Sequence, residues 1–332
     1  MPSPPVPALV AIDGGSTKTD AVLIGLDGAV LGRARTGPSN HQLLGVDGAV
    51  DGIGQAIAEA LRAAGLDDPP WPIVELGVYC LAGLDLPVDD ERMGPAIALR
   101  GWSATDLLRN DTFAVSRAGT TAPWGIGLVC GTGMNCAGVG PDGSVVRFPA
   151  LAELSGDFAP GGAWLGLRAL GLALRARDGR GQPTTLSESI PRHLDQPDVE
   201  SVLTAIYTGE LPYGRLFELA RVLLDAAAEG DGPSRAAADL LADEVVAFAT
   251  AAIMRLGVQD EPVEVVLGGG IFQTHDTGFQ QRVAYGIKAI APRAVLHHLS
   301  APPVLGAGLI GLDTLGAGDQ AKARLRAELS HG

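Results

Sequence analysis

Hydrophobic and polar positions along this chain fall into short blocks whose period switches between two and about 3.6, and this pattern predicts an α/β protein. Leu9-Val10-Ala11-Ile12 is an apolar run of β type. Asp13 to Asp20 is small, hydroxylated and charged, and Ala21-Val22-Leu23-Ile24 is apolar again, ending near Asp27-Gly28, a dipeptide that favours hairpin turns. The pattern returns later: Gly127-Leu128-Val129-Cys130 leads into Gly131-Thr132-Gly133, and Met134 to Val139 leads to Asp142-Gly143. Thr17 precedes Asp27 by ten residues and Thr132 precedes Asp142 by ten, so the two hairpins share a register. A chain carrying two such units reads as a duplication, with two similar domains. A third apolar strand, Val263 to Leu267, runs into Gly268-Gly269-Gly270-Ile271-Phe272.

Between these strands lie helical patterns. Val46, Val50, Ile53, Ile57 and Leu61 recur at three- and four-residue spacings and predict an amphipathic helix ending at Gly65. Ile73 to Leu81 reads as a buried strand and Asp89 to Arg100 as a helix that Pro95 limits. Trp164 to Arg177, Arg215 to Ala228 and Ala236 to Leu256 are helical; the first has its N-terminus just after Gly161-Gly162, with donors facing the cleft. Ala294 to Leu299 is a late strand, and Pro302 opens a final helical region towards Leu329.

Composition narrows the function classes. At 332 residues the chain exceeds the usual single core, so two domains are expected, and 46% hydrophobic residues indicate a large core. The net charge of −14 argues against nucleic acid or an anionic membrane as partner, and Lys322-Ala323-Arg324-Leu325-Arg326 reads as a solvated helix face. Cys80, Cys130 and Cys136 fit no disulfide framework and read as buried thiols. Met1 to Pro7 is a proline-rich tail rather than a signal peptide, and no run suits a membrane span, so a cytoplasmic location is expected.

The glycine turns supply the chemistry. Gly14 and Gly15 let a ligand approach the backbone, while Ser16, Thr17 and Lys18 bring donors, which suits a phosphate; Asp13 beside it makes sense if a divalent cation lies between them. Paired turns followed by the triple glycine resemble the actin-like ATPase and sugar kinase superfamily. Gly156-Asp157-Phe158-Ala159-Pro160-Gly161-Gly162 narrows the likeness to the N-acetylglucosamine kinase-like branch, the BadF-BadG-BcrA-BcrD ATPase family. The resemblance implies two actin-like (ribonuclease H-like) α/β domains facing across a nucleotide cleft, one of residues 1–112 plus 304–332 and the other of 113–303. It implies ATP with Mg²⁺ held at Asp13, phosphates at Gly14 to Lys18 and at Gly131, Thr132 and Gly133, and adenosine at Gly268, Gly269, Gly270 and Phe272. Asn110-Asp111 falls where the family keeps its catalytic base, which makes Asp111 the candidate base. Ser39, Asn40, Asn110, Asp111, Asn135, Glu153 and Asp157 resemble the family's sugar contacts.

Departures bear on the substrate. Met134 stands where the N-acetylglucosamine kinases resemble Gly-Thr-Gly-Ser, and Ala150 to Leu154 lacks their tryptophan. Glu153 near Asp157 favours a cationic 2-amino group. The expectation is an ATP-dependent 6-kinase of an amino sugar, D-glucosamine first and N-acetylglucosamine as the alternative, forming a homodimer as the family often does. More distant alternatives are an activator ATPase sharing an iron-sulfur cluster between subunits, for which the three cysteines are poorly placed, and a sugar-responsive regulator.

Overall fold

The computed structural model describes residues 6–330; most of the proline-rich tail, at 1–5, lies outside the described residues, as do 331–332. Five strands form the first sheet: β1 (Leu9–Gly14), β2 (Thr19–Ile24), β3 (Val30–Thr36), β4 (Val74–Leu81) and β5 (Ser103–Asn110), in the order β3-β2-β1-β4-β5. The second holds β6 (Gly125–Cys130), β7 (Met134–Val139), β8 (Val145–Arg147), β9 (Glu264–Gly268) and β10 (Val295–His298), in the order β8-β7-β6-β9-β10. In each, three antiparallel strands in hairpin succession join two parallel ones on the far side of the first strand. The topologies are identical, as the repeated hairpin predicts.

The likeness extends to single hydrogen bonds. In the outer turn of the first hairpin Gly25 N donates to Ala29 O (2.9 Å) and Ala29 N to Asp27 Oδ1 (3.1 Å). In the second, Gly140 N donates to Ser144 O (2.8 Å) and Ser144 N to Asp142 Oδ1 (3.0 Å). Each Asp side chain folds back on the backbone two residues on, and the glycine after it takes the positive φ the turn requires, 81° at Gly28 and 82° at Gly143.

Helix α1 (His41–Ala63) joins β3 to β4, α2 (Pro87–Ala98) joins β4 to β5, and α3 (Asp111–Gly119) passes from the first sheet to the second. Between β8 and β9 come α4 (Gly162–Arg177), α5 (Leu186–His193), α6 (Val199–Thr208), α7 (Leu219–Ala228) and α8 (Gly232–Leu256). Then α9 (Thr277–Ile290) leads to β10, and α10 (Pro303–Thr314) and α11 (Asp319–Leu329) close the chain. Among the described residues no helix is long and apolar enough to cross a membrane.

Strand alternation decides the layers. Val10 and Ile12 pack with Ala49, Ile53 and Ile57 of α1 on one face of the first sheet. Leu9 and Ala11 pack on the other face with Ala114 of α3 and with Val304, Leu305 and Leu309 of α10. Each such leucine contributes about 1.5–3 kcal/mol on burial. Helix α10 thus returns to the first sheet, and α3 packs against strands of both sheets.

Some elements differ from the sequence pattern. The predicted helix at Arg215 to Ala228 is a 3₁₀ turn, Tyr213–Glu218, followed by α7. The chain bends at Gly45 (φ 71°) near the start of α1, and Pro95 sits inside α2 without ending it. The basic run is not simply a solvated face. Leu325 is buried, Lys322 pairs with Asp313, Arg324 with Asp27 and Glu328, and Arg326 donates to the carbonyls of Ala118 and Thr120, so the run fastens α11 to the body.

Candidate active site

In an α/β sheet, ligands gather beyond the carboxyl ends of parallel strands, where side chains and loops project without a ladder partner. In the first sheet that edge is drawn by register: Asp13 of β1 stands opposite Cys80 of β4, and Gly14 opposite Leu81, which in turn stands opposite Asn110 of β5. Asp13, the loop after β4 and Asn110-Asp111 therefore share one end of the sheet. The second sheet presents its equivalent edge, with Val129 opposite Gly268.

Asn110 is the N-cap of α3: its Oδ1 accepts from Thr112 N (2.9 Å), and its Nδ2 donates to Asp85 Oδ1 (2.9 Å). Asn135 Nδ2, from β7 of the other sheet, donates to the same Asp85 oxygen at 2.9 Å, and Gln42 Nε2 donates to Asp85 Oδ2 at 3.2 Å. Asp85 lies in the loop after β4 and was not singled out in the sequence, although its place just beyond the end of a parallel strand is itself a signal.

Three carboxyls here are hard to ionise. Burial pushes Asp111 up to about 7, with the negative charges of Asp13 and Asp85 adding to it and the N–H groups of Thr112 and Asp111 opposing. Burial likewise raises Asp13 to about 6, against the pull of Lys18, and Asp85 to about 6, against the Gln42 hydrogen bond. The edge is short of positive charge. Lys18 Nζ is 3.9 Å from Asp13 but is bonded to Asp20, so it serves those carboxylates rather than projecting free towards a phosphate. Asp13 fits a hydrated Mg²⁺: it is an oxygen donor whose anionic form is undercompensated, and Mg²⁺ keeps most of its waters. Among the described residues no group of three or more His, Cys, Asp or Glu is arranged as an all-protein metal cage.

The first glycine turn is closed by Gly15 N donating to Lys18 O (2.8 Å), and Ser39 N donates to Gly15 O (3.0 Å). Ser39 and Asn40 hold this turn from behind. Ser39 Oγ accepts from Thr19 Oγ1 (2.8 Å), Asn40 Nδ2 donates to Ser16 Oγ (2.9 Å), and Asn40 Oδ1 caps α1 through Gln42 N (2.8 Å). Both are buried, and their side chains brace the turn from within the protein.

The second turn, Gly131-Thr132-Gly133, is strapped to the start of α4. Gly162 N donates to Gly131 O and Ala163 N to Thr132 O, both at 2.8 Å. Those helix-start donors are thus spent on the turn, not on the cleft as the sequence suggested. Gly161, at φ 100°, lies so close that a Cβ there would stand 2.5 Å from the Gly133 carbonyl carbon. The turn borders a cavity of about 760 Å³ walled by Gly131, Thr132, Phe217, Arg221, Gly270 and Gln273. Gly269 sits against the Cys130 carbonyl and Gly268 lies in β9. Phe272 does not reach the cavity: it is buried and its ring packs on Phe279, so Ile271 and Gln273 take the wall position instead. Both Ile271 and Phe272 of the 3₁₀ turn after β9 are buried, and of the two only Ile271 also lines the cavity.

Glu153 is exposed on a short 3₁₀ turn, and Asp157 accepts from Ser155 Oγ (3.1 Å); neither hydrogen-bonds to the Asp85 cluster. The segment is strained, with Ala150 and Ala152 at φ 47° and 55°, a backbone state that non-glycine residues rarely adopt.

The chain is similar to known proteins over most of its length. It is 26% identical over 265 residues to an N-acetylmuramic acid/N-acetylglucosamine kinase of Clostridium acetobutylicum, covering 79% of this chain and 85% of the relative. It is 25% identical over 313 residues to an N-acetyl-D-glucosamine kinase of Dictyostelium discoideum, covering 92% and 98%. The solved structure of a provisional N-acetylglucosamine kinase from Chromobacterium violaceum superposes with a TM-score of 0.70 at 25% identity, over 92% of this chain and 99% of that one. Residues 10–311 match the profile of one family, and the chain is a member of it: the BadF/BadG/BcrA/BcrD ATPase family.

Proposed function

We propose that this protein transfers the terminal phosphoryl group of ATP to the 6-hydroxyl of an amino sugar, D-glucosamine first and N-acetylglucosamine as the alternative. The observation that carries the reading is the meeting of Asp13, Asp85 and Asp111 at one sheet edge, with Asn135 reaching them from the other sheet. Division of the chain at 1–112 plus 304–332 and 113–303 belongs to the same proposal and is supported by the return of α10 to β1.

Phosphoryl transfer requires positioning, charge stabilisation and a base for the attacking alcohol. Asp111 is that base in this reading. Its carboxylate takes the 6-hydroxyl proton as the oxygen bonds to the γ-phosphorus and the bond to the β-phosphate oxygen breaks, releasing ADP. The turns at 14–18 and 131–133 hold the phosphates, and the cavity beside Gly270 receives the nucleoside. Asp13 would hold Mg²⁺, which would supply positive charge to the phosphates when bound.

The preference for glucosamine rests on charge. Three buried carboxyls with raised pKa values favour a substrate that brings its own ammonium. The alternative is favoured by what the two relatives are named for. Transfer from ATP to glucosamine, N-acetylglucosamine and glucose tests this. The expected order puts glucosamine about tenfold or more above glucose in kcat/KM; preference for the acetylated sugar selects the alternative, and no transfer to any of them overturns the kinase reading.

A further inference from the structure

The loop after β4 ties the two lobes together. Asp85 Oδ1 accepts at 2.9 Å from Asn110 in the first lobe and at 2.9 Å from Asn135 in the second. The loop is itself braced: Asp89 Oδ2 accepts from Asp85 N (3.2 Å) and Leu86 N (2.8 Å), and Asp89 Oδ1 meets the buried His41 Nε2 at 3.1 Å. Five residues after Asp85, Asp90 of α2 pairs with Arg147 of β8 at 2.6 Å, a second link between the same lobes. The two bridging acids lie on one short segment, and their partners lie on adjacent strands.

What Asp85 holds explains why the link matters. Asn110 has its oxygen committed to the first turn of α3 and its amide nitrogen to Asp85, so the carboxylate fixes the helix start at which Asp111 is the next residue. Asn135 has its oxygen committed to Cys136 N (2.7 Å), which fixes its amide nitrogen towards Asp85. A shift of the second lobe is therefore relayed to Asp111 through two hydrogen bonds, both to a charged acceptor and so stronger than neutral ones.

We infer that Asp85 is a positioning residue that joins closure of the two lobes to the alignment of Asp111, and that the Asp85–Asp90 segment is the clasp on the sugar side of the cleft. This rests on the proposed kinase activity only for what the clasp encloses. The titratable groups facing Asp85 are Asp89 of α2, His41 of α1 and Asp111 of α3, and Arg147 of β8 faces Asp90.

A double-mutant cycle of Asp85→Ala and Asn135→Ala, with Asp85→Asn beside it, tests the inference by steady-state kinetics and by small-angle scattering of the free protein. Each alanine variant is expected to lower kcat/KM for the sugar by about ten- to a hundredfold, with kcat sharing the loss, as for loss of a hydrogen bond to a charge, and to leave the ATP KM unchanged. The double variant is expected to be no worse than Asp85→Ala, and Asp85→Asn, which keeps an acceptor oxygen, to recover most of the loss. Additive losses, or a raised ATP KM, overturn it. If Asp85→Ala does not fold, Asn135→Ala with Arg147→Ala carries the test. If wild-type protein phosphorylates no hexose, the kinase reading fails and the clasp is judged by scattering alone: a larger radius of gyration in Asn135→Ala plus Arg147→Ala supports it, and an unchanged one overturns it.

Discussion

Asp111 sits on the first turn of α3, where the helix dipole and the Thr112 N–H favour its ionised form, while burial and two neighbouring carboxylates oppose it. The opposition prevails, and its carboxyl titrates near 7. Asp111→Asn is expected to keep the fold and lose about 10²- to 10⁴-fold in kcat, measured in a coupled ADP assay; near-normal turnover would remove it as base. The same shifts set a pH dependence of stability. Asp13, Asp85 and Asp111 hold their protons to higher pH when folded than when unfolded, so between pH about 4 and 7 the folded state binds more protons and stability falls as pH rises. Melting temperature is expected to climb as pH is lowered from 7 to 5, with a shallower climb in Asp85→Asn; a flat or inverted trend would contradict the burial argument. Asp111 stands out as the candidate base only through the resemblance carried by Asn110-Asp111 ahead of the second hairpin. Asp85 was not legible in the sequence, because its partners Asn110 and Asn135 lie 25 and 50 residues away and meet it only after both sheets form.

The two glycine turns look alike in sequence but are anchored differently. The first is held by the side chains of Ser39 and Asn40 as well as by backbone bonds to Gly14 and Gly15; the second is held by backbone, through the N–H groups of Gly162 and Ala163. Periodicity could find both hairpins, yet it could not tell that Ser39 and Asn40 brace the first turn, since direction depends on how α1 docks. Nor did it find α5, α6 or α9. The first two are short, and Pro191 interrupts the pattern of α5, whereas α9 was marked by the Asp276 cap and by Phe279, Val283 and Ile287 on one buried face. The backbone strap makes Gly161 a sensitive position. Gly161→Ala demands an unfavourable φ and displaces the Gly133 carbonyl, so it is expected to cost about 1–3 kcal/mol and to raise the ATP KM more than the sugar KM. Thermal melts and separate KM values check this; an unaltered ATP KM would mean the strap does not shape the nucleotide site.

At the scale of the molecule, the duplicated topology leaves α3 and α10 at the joint. They cross so closely that a Cβ on Gly306 would stand 1.8 Å from the Ala114 carbonyl oxygen, which leaves little room to slide one helix past the other. The repeat was legible from ten-residue spacing and matched Asp-Gly turns, because local hydrogen bonding writes itself into local sequence. The return of α10 to the first sheet came only from resemblance, since its all-round apolar character says that it is buried but not against what. The three thiols, each sealed in a core, have a practical corollary. Cys80 lies in the first sheet, and Cys130 and Cys136 in the second, all at 0% exposure. A maleimide should leave the intact protein unlabelled, and under mild denaturant the order in which peptides bearing each thiol become tagged would record which half comes apart first, without any engineered dye.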